Sequence, residues 1–187
     1  MLGNNGANSF FNSPIKYQKQ DYDKLKASCR DQGKLFEDDQ FPASPNILFK
    51  KKKVNGIVWK RPHEICEHPR LVIGNVDTRD VIQGQLGNCW FVAALSVLSS
   101  EKKYWNKVVP DLKEQEIDPE NPSNYAGIFK FNFWQFGKWI EVVIDDLLPT
   151  INNKLIFTHS SAKNEFWSSL LEKAYAKWAF FLENKNK

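Results

Sequence analysis

The sequence predicts an α+β fold in which a mainly helical chain carries a small antiparallel β-hairpin. Aromatic residues alternate with others over residues 125–134, and a short turn then leads into a second strand-like run, 139–144. Residues 90–98 are almost wholly apolar, which is typical of a buried helix. Residues 166–178 repeat apolar side chains at three- and four-residue steps, as a helix packed on a core does.

The composition is that of one globular domain. The chain has 187 residues, 42% of them hydrophobic and 14% aromatic, which is enough for a real core and disfavours disorder. The net charge of +4 is a mild excess, and part of it comes from the four lysines 50–53. We interpret this run as a solvated loop, with a phosphate or acidic-lipid contact as the alternative. Nothing else suggests nucleic acid.

Three cysteines, Cys29, Cys66 and Cys89, are widely spaced and odd in number. This arrangement is neither a disulfide framework nor a zinc pattern, and it favours a reducing compartment. The polar start has no secretory pattern, and no stretch is apolar for the eighteen or so residues of a membrane span. We therefore expect a cytoplasmic protein with no membrane span.

The first third of the chain contains little regular structure. Residues 1–16 are expected to form a flexible tail. A short, weakly amphipathic helix is predicted over residues 17–30, with Gly33 ending it. Residues 35–60 contain two prolines and a glycine, so we expect an extended segment that wraps the core.

The pattern of the sequence changes at Val81. Two glycines lie within residues 83–88, and the apolar run begins directly after Cys89. This order predicts a tight loop that leads into a buried helix, with Cys89 at the helix N-terminus. The polar, proline-containing residues 111–123 are expected to form a surface loop.

Turn residues organise the predicted strands. Residues 135–138 close the hairpin, and Asn152-Asn153 indicates a second turn before a short strand at 155–157. On the last helix, Lys173 and Lys177 lie off the apolar stripe.

Cys89 is the candidate nucleophile. A helix N-terminus stabilises a thiolate because its unpaired N–H groups carry partial positive charge. Gln83 lies six residues upstream, and its amide can donate a hydrogen bond to an oxyanion, with the backbone N–H of Cys89 as the second donor. A lone cysteine is usually a small buried hydrophobe, which is our interpretation of Cys29 and Cys66. The joint pattern over residues 83–90 is that of papain-fold cysteine proteases.

From these motifs outward, the sequence resembles the calpain family over roughly residues 17–177. The segments that carry the resemblance, each close to a calpain motif, are 41–43, 59–66, 83–99, 125–129, 133–137, 145–150 and 165–177. The resemblance implies the Cys-bearing N-terminal subdomain of a papain-like cysteine protease fold. It also implies a calcium-dependent cysteine endopeptidase that performs limited intracellular proteolysis of protein substrates.

The resemblance further implies a Ca²⁺ site. Its carboxylates map to Asp80 and Glu165, and its backbone carbonyls map to Ile73 and Asn75. Hard oxygen ligands from separate parts of the chain suit calcium. Asn75 stands where calpains usually have glycine, but a carbonyl is available from either residue.

The general base is not identified in this sequence. Calpains carry the catalytic His and Asn in a second subdomain, and none of His63, His68 and His159 matches that position. We therefore expect residues 17–177 to form only the first subdomain, with residues 178–187 as a divergent tail.

Two functions follow from this reading. In the first, the chain is a truncated endopeptidase that holds the nucleophile and lacks the catalytic His and Asn. In the alternative, it is a non-catalytic, calcium-responsive protein-binding module that regulates a full-length calpain. The expected partners are protein substrates and either the second protease subdomain or a full-length calpain.

Overall fold

The computed structural model describes residues 13–44, 55–74, 76, 81–84, 89–117 and 124–185. Most of the helices lie in the first part of the chain, five strands then follow one another, and a long helix comes last. The helices are α1 (Tyr22–Asp31), α2 (Pro62–Ile65), α3 (Cys89–Ser100), α4 (Lys102–Val108) and α5 (Trp167–Lys185).

The strands form small sheets between and beside these helices. They are β1 (Ile15–Lys16), β2 (Val58–Lys60), β3 (Val81–Ile82), β4 (Ile128–Gln135), β5 (Lys138–Asp145), β6 (Leu148–Ile151), β7 (Lys154–Leu155) and β8 (His159–Ser160). The sheet orders are β1-β5-β4, β2-β6-β7 and β3-β8. All pairs are antiparallel except β1 with β5. This mixture of helices and small sheets fits the predicted α+β class, while the papain-like detail stays a prediction.

Two hairpins confirm the turns predicted from the sequence. β4 and β5 pair in register from Ile128 with Asp145 to Gln135 with Lys138, and residues 136–137 form the turn. The β6–β7 turn is Asn152-Asn153, with φ of 49° and 64°. Positive φ at both positions suits asparagine. The strand predicted at 155–157 is shorter, because β7 ends at Leu155, and its partner β6 was not predicted.

The N-terminal region differs from the prediction at its start. Ile15 and Lys16, assigned to the tail, form β1 and lie beside Ile140 and Glu141 of β5. A 3₁₀ turn follows, so the α-helix begins only at Tyr22. Its predicted end is confirmed, because Gly33 has φ of 60° and the N–H of residue 34 donates to the Cys29 carbonyl.

The core lies between the β4–β5 hairpin, α3, α4 and α5. Trp167, at the start of α5, is fully buried, and its ring meets Trp105 of α4 edge-on at 5.0 Å between centroids. α5 continues to Lys185, through most of the segment expected as a divergent tail. Among the described residues, no helix combines the length and the apolar character needed to cross a membrane.

Two lysines of α5 are buried, although the sequence placed them off the apolar stripe. Lys173 and Lys177 are each 0% exposed. Lys173 forms an ion pair with Asp145, and Lys177 pairs with Asp38 of the wrapping segment. The α5 helix is therefore buried beyond its apolar stripe. The protein tolerates the two buried lysines because each ammonium group has a buried carboxylate partner.

Candidate active site

Cys89 is the first residue of α3, as the sequence predicts, and its thiol is free and exposed. The first amide groups of a helix have no partner within the helix and point toward its N-terminus. The structure therefore places an exposed thiol at the N-terminal end of α3.

The rest of α3 anchors this cysteine to the core. Phe91 and Leu95 are buried and belong to the main hydrophobic cluster. The Phe91 ring contacts Tyr175 of α5 at 5.3 Å between centroids, and the exposed Trp90 ring contacts the same tyrosine at 5.2 Å. Packing of α3 against α5 thus fixes the direction of the helix whose first residue is Cys89.

Gln83 follows β3 and is exposed. β3 pairs with β8, and Val81 lies opposite Ser160. The next residue, Gly84, lies directly against the backbone of another segment. A Cβ built on it would lie 2.3 Å from the Ile156 carbonyl oxygen and 2.4 Å from that of Phe157. Only glycine, which has no Cβ, allows the two backbones to approach this closely. This contact fixes the end of β3, from which the exposed Gln83 side chain projects. Residues 85–88, which join this point to Cys89, lie outside the described residues.

Glu165 is the candidate calcium ligand that the structure describes most fully. Its side chain is 4% exposed. Oε1 accepts from the Ile73 backbone N–H at 2.6 Å, so Glu165 and the backbone of Ile73 are in contact. Oε2 accepts from the Ser160 hydroxyl at 2.6 Å and from the Trp167 indole N–H at 3.2 Å.

The charge on Glu165 is not balanced by a described cation. No lysine or arginine in the described part of the chain forms a salt bridge with it, whereas Asp38, Asp145 and Asp146 each have one. The two Glu165 oxygens instead accept hydrogen bonds from the Ile73 N–H, the Ser160 hydroxyl and the Trp167 indole. The other proposed ligands, Asp80 and Asn75, lie outside the described residues.

The described contacts of the three histidines are with residues other than Cys89. The His63 ring meets Tyr125 edge-on at 6.4 Å, and His159 Nδ1 lies 3.2 Å from the Phe157 carbonyl oxygen. The His68 carbonyl accepts from the Asn164 amide. Among the described residues, no hydrogen bond joins a histidine ring to Cys89.

The other two cysteines differ from Cys89 in environment. Cys29 and Cys66 are half-buried, and burial raises the pKa of both thiols above the ordinary value. Fewer of these thiols are ionised at neutral pH as a result. Their surroundings agree with the interpretation that neither is the nucleophile.

Sequence reasoning missed three contributors to the site. Ser160 and Trp167 hold the Glu165 carboxylate, and Gly84 packs on the Ile156–Phe157 backbone. The calpain-like segments contain Gly84 and Trp167 but not Ser160. The Gly84 contact joins separate segments, whereas Ser160 and Trp167 lie close to Glu165 in the sequence, and that closeness was the local signal.

Known proteins similar to this chain are calpains. Residues 36–184 match the family described as calpain family cysteine protease. Calpain-5 of Mus musculus is 53% identical over 170 residues, which cover 90% of this chain and 27% of that relative. The calpain-2 catalytic subunit of Rattus norvegicus is 48% identical over 169 residues, covering 87% and 23%. Calpain-8 of Homo sapiens is 47% identical over the same length, with the same coverage. The chain spans about a quarter of the length of these relatives.

Proposed function

The chain belongs to the calpain family of cysteine proteases, and we propose that it carries the nucleophile half of a calcium-dependent endopeptidase acting on proteins. The observation that carries this proposal is the exposed Cys89 thiol at the first residue of α3. A helix N-terminus on a packed apolar helix is suited to hold a thiolate in a fixed direction.

In the proposed reaction, the Cys89 thiolate attacks the carbonyl carbon of a peptide bond. The carbonyl oxygen gains negative charge and accepts hydrogen bonds from the Gln83 amide and the Cys89 backbone N–H. A base must first take the thiol proton and later donate it to the leaving amine. None of His63, His68 and His159 is proposed for that role, so the isolated chain is expected to lack turnover.

Calcium is proposed to bind between the 73–75 loop and the segment before α5. The Glu165 and Asp80 carboxylates and the carbonyl oxygens of Ile73 and Asn75 would be its ligands, and the ion would supply positive charge at this junction. The contact between Glu165 and Ile73, together with the unpaired charge of Glu165 among the described residues, supports this site. A calcium ion there would tie the loop to the start of α5.

The proposal is tested by fluorogenic peptide hydrolysis and by alkylation of the purified chain, with calcium or with chelator. We expect no calcium-dependent hydrolysis, because the general base is lacking. Iodoacetamide should label Cys89 faster than Cys29 or Cys66, and peptide mapping by mass spectrometry identifies the labelled thiol. The Cys89→Ala variant is the control for both measurements. Labelling of Cys89 at the rate of an ordinary exposed thiol would argue against a preorganised nucleophile.

Glu165→Gln is expected to weaken calcium binding at least tenfold, because it removes a full charge from the ligand set. Calcium should raise the thermal midpoint of the wild-type chain and leave that of the variant nearly unchanged. Differential scanning calorimetry with calcium and with chelator measures both. Glu67→Gln, on an exposed residue, is the matched control and should respond like the wild type. An equal calcium response in all three proteins would mean that Glu165 is not a calcium ligand.

The second candidate function is a calcium-responsive binding module. α3 exposes apolar side chains along its length: Trp90, next to Cys89, is 55% exposed, and Val97, further along the helix, is 67% exposed. Such a surface fits a protein partner, and the proposed one is a second protease subdomain or a full-length calpain. Light scattering with a full-length calpain, with and without calcium, separates the two candidates. A calcium-dependent complex without cleavage supports the module, and a chain that stays monomeric argues against it.

A further inference from the structure

The tip of the β4–β5 hairpin presents a cluster of exposed aromatic side chains. Phe136 is 93% exposed and Trp134 is 55% exposed. Trp134 lies opposite Trp139 in the strand register, and the two indole rings meet edge-on at 5.2 Å between centroids. We call Trp134, Phe136 and Trp139 the aromatic tip.

Phe136 has a backbone conformation that is unfavourable for a bulky residue. The two residues of the turn, Phe136 and Gly137, have φ of 46° and 78°. Turns with two positive φ values favour asparagine or glycine, and a bulky residue there costs stability. Phe136 also gains almost nothing from packing, since its side chain is in water. A strained, exposed aromatic residue points to a role outside the fold.

Two lysines, Lys107 and Lys138, lie next to the aromatic tip. Lys138 is exposed and follows the turn, and Lys107 of α4 places its ammonium group 5.7 Å from the centre of the Trp139 ring. Two carboxylates lie nearby: Glu141 is half-buried and lies opposite Lys16 of β1 in the strand register, and Asp111 pairs with Lys130. The end of the hairpin is thus apolar at its centre and cationic at its rim.

We propose that the aromatic tip is a contact site for the surface of an anionic lipid bilayer. Tryptophan and phenylalanine side chains bind at the boundary between headgroups and acyl chains, and lysines beside them are attracted to anionic headgroups. β4 and β5 are paired over their full length, which holds the exposed Trp134 and Phe136 side chains at one end of the hairpin, with the half-buried Trp139 ring packed against Trp134. The contact is peripheral and independent of Cys89.

The test is co-sedimentation of the 187-residue chain with phosphatidylcholine vesicles that contain, or lack, about 30% phosphatidylserine, a typical anionic lipid. Wild-type chain should bind the anionic vesicles and lose most binding in high salt. Phe136→Asn should bind about tenfold more weakly, because it removes the apolar side chain from the interface. Lys138→Glu should bind weaker by at least the same factor.

Matched controls separate this site from general effects. Lys154→Glu changes an exposed lysine of the other hairpin, and Val58→Ser changes an exposed apolar residue of β2. Both should bind like the wild type, as should Cys89→Ala. Phe136→Asn should also raise or preserve the thermal midpoint, since asparagine suits the turn, so weaker binding cannot be ascribed to unfolding.

Three outcomes would overturn the proposal. The first is vesicle binding that is unchanged in Phe136→Asn and Lys138→Glu. The second is equal binding to neutral and anionic vesicles, since the lysines then contribute nothing. The third is absence of vesicle binding while the same two substitutions abolish binding to a protein or to single-stranded RNA, which would assign the tip to another class of partner.

Discussion

Replacing Lys177 by methionine is expected to lower the free energy of unfolding by about 3–5 kcal/mol, a large share of the stability of a domain of this size. The buried ammonium group donates to Asp38 Oδ2 at 2.6 Å, to Gln20 Oε1 at 2.6 Å and to the Val143 carbonyl at 2.7 Å. Burial lowers the pKa of Lys177, and the Asp38 carboxylate opposes that shift. Methionine fills a similar volume but leaves Asp38 buried without its cation.

Urea unfolding followed by circular dichroism measures this loss. Lys154→Met, at an exposed lysine, should change the unfolding free energy by no more than about 0.5 kcal/mol. The double variant Lys177→Met with Asp38→Asn should lose less than the sum of the single losses, because no uncompensated charge remains. A loss below about 1 kcal/mol for Lys177→Met would mean that water reaches the pair and that the burial argument is wrong.

The buried lysines mark one limit of sequence reasoning about this fold. The three- and four-residue spacing predicted α5 correctly, because periodicity reports the face that packs on the core. It could not report that Lys177 is also enclosed. Its partner Asp38 is 139 residues away in the chain, and only tertiary structure brings the two charges together.

The β4–β5 hairpin and the 152–153 turn were predictable because local chemistry determines them. Alternating side chains define the strands, and residues 136–137 and 152–153 supply turns that β-hairpins use. β1 and β6 were missed for the opposite reason. β1 has two residues and exists only because β5 offers an edge, and β6 contains Pro149, which argues against a strand in the sequence alone.

The candidate site likewise has features that the sequence predicted and features that it did not. The position of Cys89 at a helix start followed from a glycine-containing loop before an apolar run, and the structure agrees. The calcium ligands came from the resemblance to calpains, since Asp80 and Glu165 have no local signal of their own. Of the donors to Glu165, Ser160 and Trp167 are near neighbours in the sequence, and the Ile73 N–H comes from a distant segment. The packing of Gly84 on residues 156–157 also joins distant segments, so no local pattern contained these last two contacts.

Gly84→Ala is expected to destabilise the chain by about 1–3 kcal/mol and to slow alkylation of Cys89 several-fold. The added methyl group would lie 2.3 Å from the Ile156 carbonyl oxygen, a distance that real contacts do not reach. Both neighbours are backbone atoms, so β3 or the 156–157 segment must move. Movement of β3 displaces the strand end that leads through Gln83 to Cys89, which couples this glycine to the nucleophile.

Gly33→Ala is the matched control, because it adds the same methyl group at a site with no neighbour within 4 Å. It should cost about 1 kcal/mol through its positive φ alone and leave the alkylation rate of Cys89 unchanged. Urea unfolding and timed iodoacetamide labelling of both variants give the two quantities. If Gly84→Ala loses stability but keeps the wild-type labelling rate, then Gly84 supports the fold without positioning Cys89. If it changes neither quantity, the close approach of the two backbones is wrong.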